Sequence, residues 1–194
     1  DVVDEPASRD DAVPAPEAPS INDLAPAYTV CSGLSTAGLG DNLLKCPPTG
    51  VAGLVVRVVE VEGPVHRDIV VQRVRAAFGL KRAGKNVEAA VEGGIEAAVK
   101  SGKVTRYGVF LWPPSQPKVL VRRRGEEMPA AIEYICDEEI AAAATLVLQT
   151  QFATDRDELA VQALRVLGFG RVKSETRNRA LKAIDGLITQ GAVV

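Results

Sequence analysis

Apolar residues recur at helical spacing in two stretches set 89 residues apart. Val70, Val74, Ala77 and Phe78 stand at i, i+4, i+7 and i+8, and Leu159, Ala163, Val166 and Leu167 repeat the spacing. Each set occupies one face of a helix. The same shift lays RDIVVQRVRAAFGLKR (67–82) over RDELAVQALRVLGFGR (156–171) without a gap, matching Arg67 with Arg156, Asp68 with Asp157, Gly79 with Gly168 and Arg82 with Arg171. Both helices should stop at the glycine in a left-handed cap, each followed by an apolar residue, Leu80 or Phe169. Beyond the turn, Val91, Ile95, Ala98 and Val99 match Ala180, Ile184, Leu187 and Ile188, a second helical face closed by Gly102 and Gly191.

The segment before each pair is less direct. Residues 53–63, GLVVRVVEVEG, are β-branched enough to suggest a strand. Their counterpart, EEIAAAATLVLQT (138–150), is Ala-rich and helical on any scale, so the shift makes both of them helices. After the first trio, KVTRYGVFLWPP (103–114) reads as two short strands about a turn near Tyr107 and Gly108, halted by Pro113 and Pro114. The fold expected is mainly α with a short β-hairpin, in two tandem winged-helix-like three-helix units at 51–125 and 126–194. Only Ala192 to Val194 remain for a wing in the second unit, so that wing is missing or incomplete.

Composition breaks sharply near residue 26. Residues 1–26 hold seven acids, one base and five prolines with no periodic pattern, an acidic Pro/Ala-rich tether. Residues 27–50, with Gly33, Gly38, Gly40, Pro47, Pro48 and Gly50, form an irregular strap. The whole chain carries a formal charge of -2, yet without the tether 22 bases face 18 acids, a net +4. No apolar run approaches the roughly 20 residues of a membrane span. A soluble cytoplasmic protein with no membrane partner is expected. Asp1 stands where an initiator Met would, and the acidic tether suggests a piece of something longer.

Candidate chemistry is sparse. Cys31, Cys46 and Cys136 are odd in number and widely spaced, which indicates free thiols rather than a disulfide framework or a zinc cage. His66 is the lone histidine and reads as a turn residue before a helix. The phosphate-loop, dinucleotide and nucleophile-elbow motifs are all missing. Asp137, Glu138 and Glu139 open a helix, where its dipole favours negative charge, so they read as capping residues. No catalytic, cofactor-binding or metal-binding residue is assigned, and the chain is read as non-enzymatic.

A family likeness is carried by VVEVEGPVHRDIVVQRV with the spaced GLKRAGKNV, by GVFLWP followed by an Arg-rich strand, and by YICDEEI with LRVLGFGRV. Over roughly residues 50–194 they resemble the domain of unknown function at the C-terminus of large bacterial superfamily I helicase-related proteins. EGPVHRD and the LGFGR turn are the most specific parts. The resemblance implies a helicase-type parent whose motor lies elsewhere, and it supplies no catalytic residues. Relatives often have Pro before the Glu pair, where this chain has Asp137.

In a winged helix the third helix reads the DNA major groove. Outward positions of the second unit's third helix are Glu175, Asn178, Arg179, Lys182 and Thr189, approached by Arg171 and Lys173. Arg171, Lys173, Asn178, Arg179 and Lys182 are the candidate nucleic-acid contacts, to DNA or RNA backbone. Seven bases and three acids lie between 156 and 182, whereas 85–100 in the first unit has two bases and three acids. That first face presents Asn86, Ala89, Ala90, Gly93 and Ala97. Its small residues invite a covering protein surface, and Ala89, Ala90, Gly93 and Ala97 are the candidate protein contacts, covered by the strap, the second unit or a parent domain. Gly93 and Gly94 each cost roughly 0.8 to 1 kcal/mol against Ala in a helix, which argues for a packing reason. Arg122, Arg123 and Arg124 either extend the wing toward phosphate or are neutralised by Glu126, Glu127 and Glu133. Arg73 and Arg75 read as solvated surface, and Trp112 and Met128 as core or hairpin packing. Two functions remain open: an accessory module of a helicase-related protein touching nucleic acid, or a protein-docking or intramolecular regulatory module.

Overall fold

The computed structural model describes residues 24–115, 118–150 and 155–189. The chain is mainly helical, with six α-helices among the described residues: α1 (Pro48–Glu62), α2 (Arg67–Ala77), α3 (Lys85–Lys100), α4 (Asp137–Thr150), α5 (Arg156–Val166) and α6 (Ser174–Thr189). Three short strands, β1 (Val65–His66), β2 (Thr105–Tyr107) and β3 (Phe110–Trp112), form one antiparallel sheet in the order β1-β3-β2. The bounds of α5 and α6 lie 89 residues after those of α2 and α3, and α4 begins 89 after α1. The expected end of the second unit, Gly191 and the residues after it, lies outside the described residues, as do residues 1–23 of the tether.

Local chemistry explains the boundaries. The His66 side chain accepts the Asp68 N–H at 3.1 Å at the start of α2, and Asp155, 89 residues on, accepts the Glu158 N–H at 2.9 Å at the start of α5. At the other end Gly79 and Gly168 have φ of 68° and 101°. Leu80 N–H reaches Arg75 O at 3.0 Å and Phe169 N–H reaches Leu164 O at 3.0 Å, while each glycine N–H bonds three residues back. This six-to-one and five-to-two pattern satisfies the last carbonyls and needs a left-handed residue that only glycine adopts without strain. α1 is helical despite its valines because Val51, Val55, Val58 and Val59 are buried in the first core while Thr49, Gly53, Arg57 and Glu60 face solvent, so packing overrides propensity.

The hairpin turns at Gly108, φ 58°, and pairs Tyr107 with Phe110. It gains a third strand that the sequence reading did not include: Val65 pairs with Leu111 and His66 with Phe110. Two residues carry no period-two signal. The hairpin is tied to the helices through half-buried Glu92 of α3, which takes Arg67 Nε at 2.7 Å and Arg106 from β2. Trp112 packs edge-on to Tyr107, and Met128 is buried in the first core.

Two apolar cores result. The first joins α1, α2, α3 and the sheet with Cys31 and Leu43 of the strap. The second joins α4, α5 and α6 with Ile135 and with Ala25, which lies on the tether side of the composition break. α3 meets α1 closely: a Cβ on Gly94 would lie 2.5 Å from Val51 Cγ1, and Gly93 faces Pro48 at 3.9 Å. The covering surface for this small-residue face is therefore α1, helped by the Leu43–Lys45 turn, rather than a second unit. Ala90 and Ala97 pack against the first core, and Ala89 stays exposed.

Between the cores lies a buried charge cluster that changes several sequence readings. Glu139 is fully buried rather than a capping residue, and Arg122 and Arg124 are 7% and 5% exposed rather than wing residues. Glu139 Oε1 takes Arg124 Nη1 at 2.6 Å, and its Oε2 takes Arg124 Nη2 at 2.8 Å and Arg122 Nη2 at 2.9 Å. Arg122 also donates to the carbonyls of Glu62 at 2.6 Å and Pro64 at 3.1 Å, linking the two units. The Tyr28 ring lies under both guanidiniums, at 4.8 and 4.9 Å, and its hydroxyl donates to Glu62 Oε2 at 2.8 Å. Arg73, expected on the solvated surface, instead bonds buried Glu62 at 2.7 Å. Arg75 donates to Leu80 O at 3.0 Å. The neutralising acids are remote in sequence, not the neighbouring Glu126, Glu127 and Glu133.

Candidate nucleic-acid interface

The five candidate residues of the second unit fall on two sides of α6. Arg171 and Lys173 are exposed in the turn before the helix and line a cavity of about 350 Å³ with Arg165 from the last turn of α5, Ser174 and Arg177. The groove runs between α5 and α6, and its remaining walls are Val161, Gly170 and Val172. Ser174 is the first residue of α6, so the positive end of that helix faces the groove. Four cations converge here and no carboxylate lines the cavity. Among the described residues none of the four is in an ion pair, and Arg177 Nε is buried without a hydrogen-bond partner. Like charges gathered without a counter-charge repel one another, and an anion in the groove would relieve that.

The other candidates lie elsewhere on α6. Arg179 turns to α4 and pairs with Asp137. Lys182 is exposed and lines a larger groove of about 650 Å³ between α4, α6 and residues 118–121. Its floor is apolar, with Ala141, Ala142, Leu146 and Ala183, and its rim mixes Lys118 and Lys182 with Asp137 and Glu138. Phosphate would meet both signs of charge there. Asn178 is exposed.

Sequence reasoning missed Arg165 and Arg177. The outward face of a single helix does not contain them, because this groove is formed between α5 and α6 at the margin of the core stripe. A signal was present: Arg165, Arg171, Lys173 and Arg177 fall within 13 residues that hold one acid, Glu175.

The remaining chemistry-bearing residues have structural surroundings. Cys31 and Cys136 are buried and Cys46 half-buried, all as free thiols. Burial pushes the Cys136 thiol up to about 12, far from a reactive thiolate at neutral pH. Burial also lowers the His66 imidazole below its usual value, in keeping with a neutral ring that accepts a backbone N–H. Among the described residues no cluster of His, Cys, Asp and Glu is placed to hold a metal ion, and no helix is long and apolar enough to cross a membrane.

No curated protein and no solved structure matches this chain. Residues 43–89, about a quarter of the chain, match a family described as a protein of unknown function, DUF3320; the match runs from the strap turn at Leu43 through α1, β1 and α2 into the first turn of α3.

Proposed function

We propose that this chain is a non-catalytic accessory module of a helicase-related protein, and that its second unit grips nucleic-acid backbone phosphate in the groove between α5 and α6. The observation that carries the reading is the convergence of Arg165, Arg171, Lys173 and Arg177 at the N-terminus of α6 with no carboxylate in the lining. Planar guanidiniums and free helix N–H groups suit phosphate oxygens, and they carry no base specificity. Asn178 is exposed on α6 outside the groove lining. Arg179 and Lys182 fit less well, because Asp137 and Glu138 share their side of the helix.

The two units are read as tandem winged-helix-like copies. Supporting this are the common 89-residue offset of the helices, the paired glycine caps, and the order α1-β1-α2-α3-β2-β3, in which the strand between the first two helices joins the hairpin. The first copy keeps its sheet and a close α1–α3 seam. The second copy, with Lys182 and Ala183 where the first has Gly93 and Gly94, keeps an open groove and the basic surface.

Fluorescence anisotropy with a labelled duplex and a labelled single strand tests the reading. Arg171→Ala with Lys173→Ala should weaken binding by about tenfold or more, at roughly 1 kcal/mol per charge-assisted contact. Arg179→Ala with Lys182→Ala should change it by less than about threefold. Absence of binding at low salt, or a larger effect from the second pair, would reject the groove; the apolar groove between α4 and α6 then favours the protein-docking alternative.

A further inference from the structure

We propose that the acidic segment formed by residues 1–23 occupies the basic groove between α5 and α6 and competes there with nucleic acid. The proposal rests on reading that groove as a phosphate site, since the same cations would hold either ligand.

Charge complementarity supports the pairing. Residues 1–23 contain seven acids and one base, Arg9, whereas the folded remainder is net positive. Of the basic clusters, Arg122 and Arg124 are already paired with buried Glu139, and Arg67 and Arg106 with Glu92. Lys182 shares its groove with Asp137 and Glu138, which would repel an acidic chain. The α5–α6 groove gathers four cations with no carboxylate in its lining.

The entry point of the segment supports the same pairing. Ala25 is buried in the second core, and Pro26 O accepts the Arg123 N–H at 2.8 Å. The next N–H, that of Arg124, donates to Leu167 O at 3.0 Å. A Cβ on Gly168 would lie 2.3 Å from Arg124 O, so this backbone runs directly against the α5 cap. Two residues beyond Gly168 the chain becomes the groove wall, Gly170 to Lys173. The acidic segment therefore leaves the folded body one backbone strand away from the turn that feeds the groove. Twenty-three residues can reach at most about 75 Å, which is ample for this distance. A tether of that length holds its charges near the groove at roughly millimolar effective concentration. Weak exposed pairs then suffice for partial occupancy, and salt should release it.

The test uses the full chain and a variant of the same length with Asp4→Asn, Glu5→Gln, Asp10→Asn, Asp11→Asn and Glu17→Gln. In ¹H-¹⁵N spectra at low salt, the two chains should differ at the amides of Arg165, Gly170 to Ser174 and Arg177. Those differences should vanish at about 0.5 M salt and in the background of Arg171→Ala with Lys173→Ala. Differences confined to residues 1–28 would overturn the proposal. In duplex binding the neutralised chain should bind roughly 3–10-fold tighter at low salt, as a millimolar intramolecular competitor implies, and equally at high salt. Equal affinity at low salt would also overturn it. If neither chain binds duplex, the nucleic-acid reading fails by itself, and the amide shifts still decide whether the acidic segment docks.

Discussion

Glu139→Gln is the substitution that most directly probes the junction between the two cores. The change keeps shape and removes one charge. Glu139 is fully buried and takes three short side-chain bonds from Arg122 and Arg124, so the variant leaves two buried guanidiniums facing an amide whose NH2 cannot accept. Losing the one carboxylate that faces both buried guanidiniums costs about 3–5 kcal/mol, a large part of the roughly 5–15 kcal/mol that stabilises an ordinary domain. Arg124→Met removes one of two cations and leaves Arg122 paired, so its cost should be smaller, about 1–3 kcal/mol. Urea denaturation followed by far-UV circular dichroism gives the ordering, with the slope checked for two-state behaviour. Hydrogen exchange at the Arg122 amide, which donates to Glu139 Oε1 at 3.1 Å, should accelerate in the Gln variant. A loss under about 1 kcal/mol for Glu139→Gln, or a larger loss for Arg124→Met, would refute the assignment of this carboxylate as the keystone of the cluster.

Neighbouring glycines of α3 should respond with opposite signs. Gly93→Ala meets only Pro48 at 3.9 Å and should stabilise by about 0.5–1 kcal/mol through helix propensity, whereas Gly94→Ala drives a methyl to 2.5 Å from Val51 and should destabilise by about 1–3 kcal/mol in the same urea assay. Stability should fall in acid in two stages. The His66 imidazole sits below its ordinary 6.5 because burial disfavours its charged form, so the unfolded chain binds that proton first and stability declines as pH drops below 6.5. Burial by itself would raise the Glu139 carboxyl, but Arg124 and Arg122 outweigh it and hold it low, so its contribution, complete above 4.5, is lost as pH falls through the folded value. A pH series of urea midpoints checks both, and His66→Asn, which keeps a capping acceptor, should remove the upper stage alone.

Much of the architecture was legible because short-range rules set it. The glycines at 79 and 168 announce helix ends through backbone conformation, and the shared apolar spacing fixes the faces that α2, α3, α5 and α6 bury. The helicity of α1 needed its Ala-rich counterpart, since burial overrides the valines. What stayed hidden depends on residues distant in sequence. Arg122 and Glu139 are 17 positions apart and Arg122 and Glu62 60 apart, so a search for neighbouring acids could not pair them. β1 is two residues long and exists through its register with β3. The candidate interface was half legible: Arg171 and Lys173 stand in the groove, while Arg165 and Arg177 required knowing that α5 and α6 leave a cleft.

The salt dependence of duplex binding tests phosphate contact in that cleft most directly. Four contacts, from Arg165, Arg171, Lys173 and Arg177, predict that log affinity falls with log salt at a slope of about -3.6, and that Arg171→Ala with Lys173→Ala reduces it to about -1.8. A slope near zero, or one left unchanged by that pair of substitutions, would contradict the groove as a phosphate site.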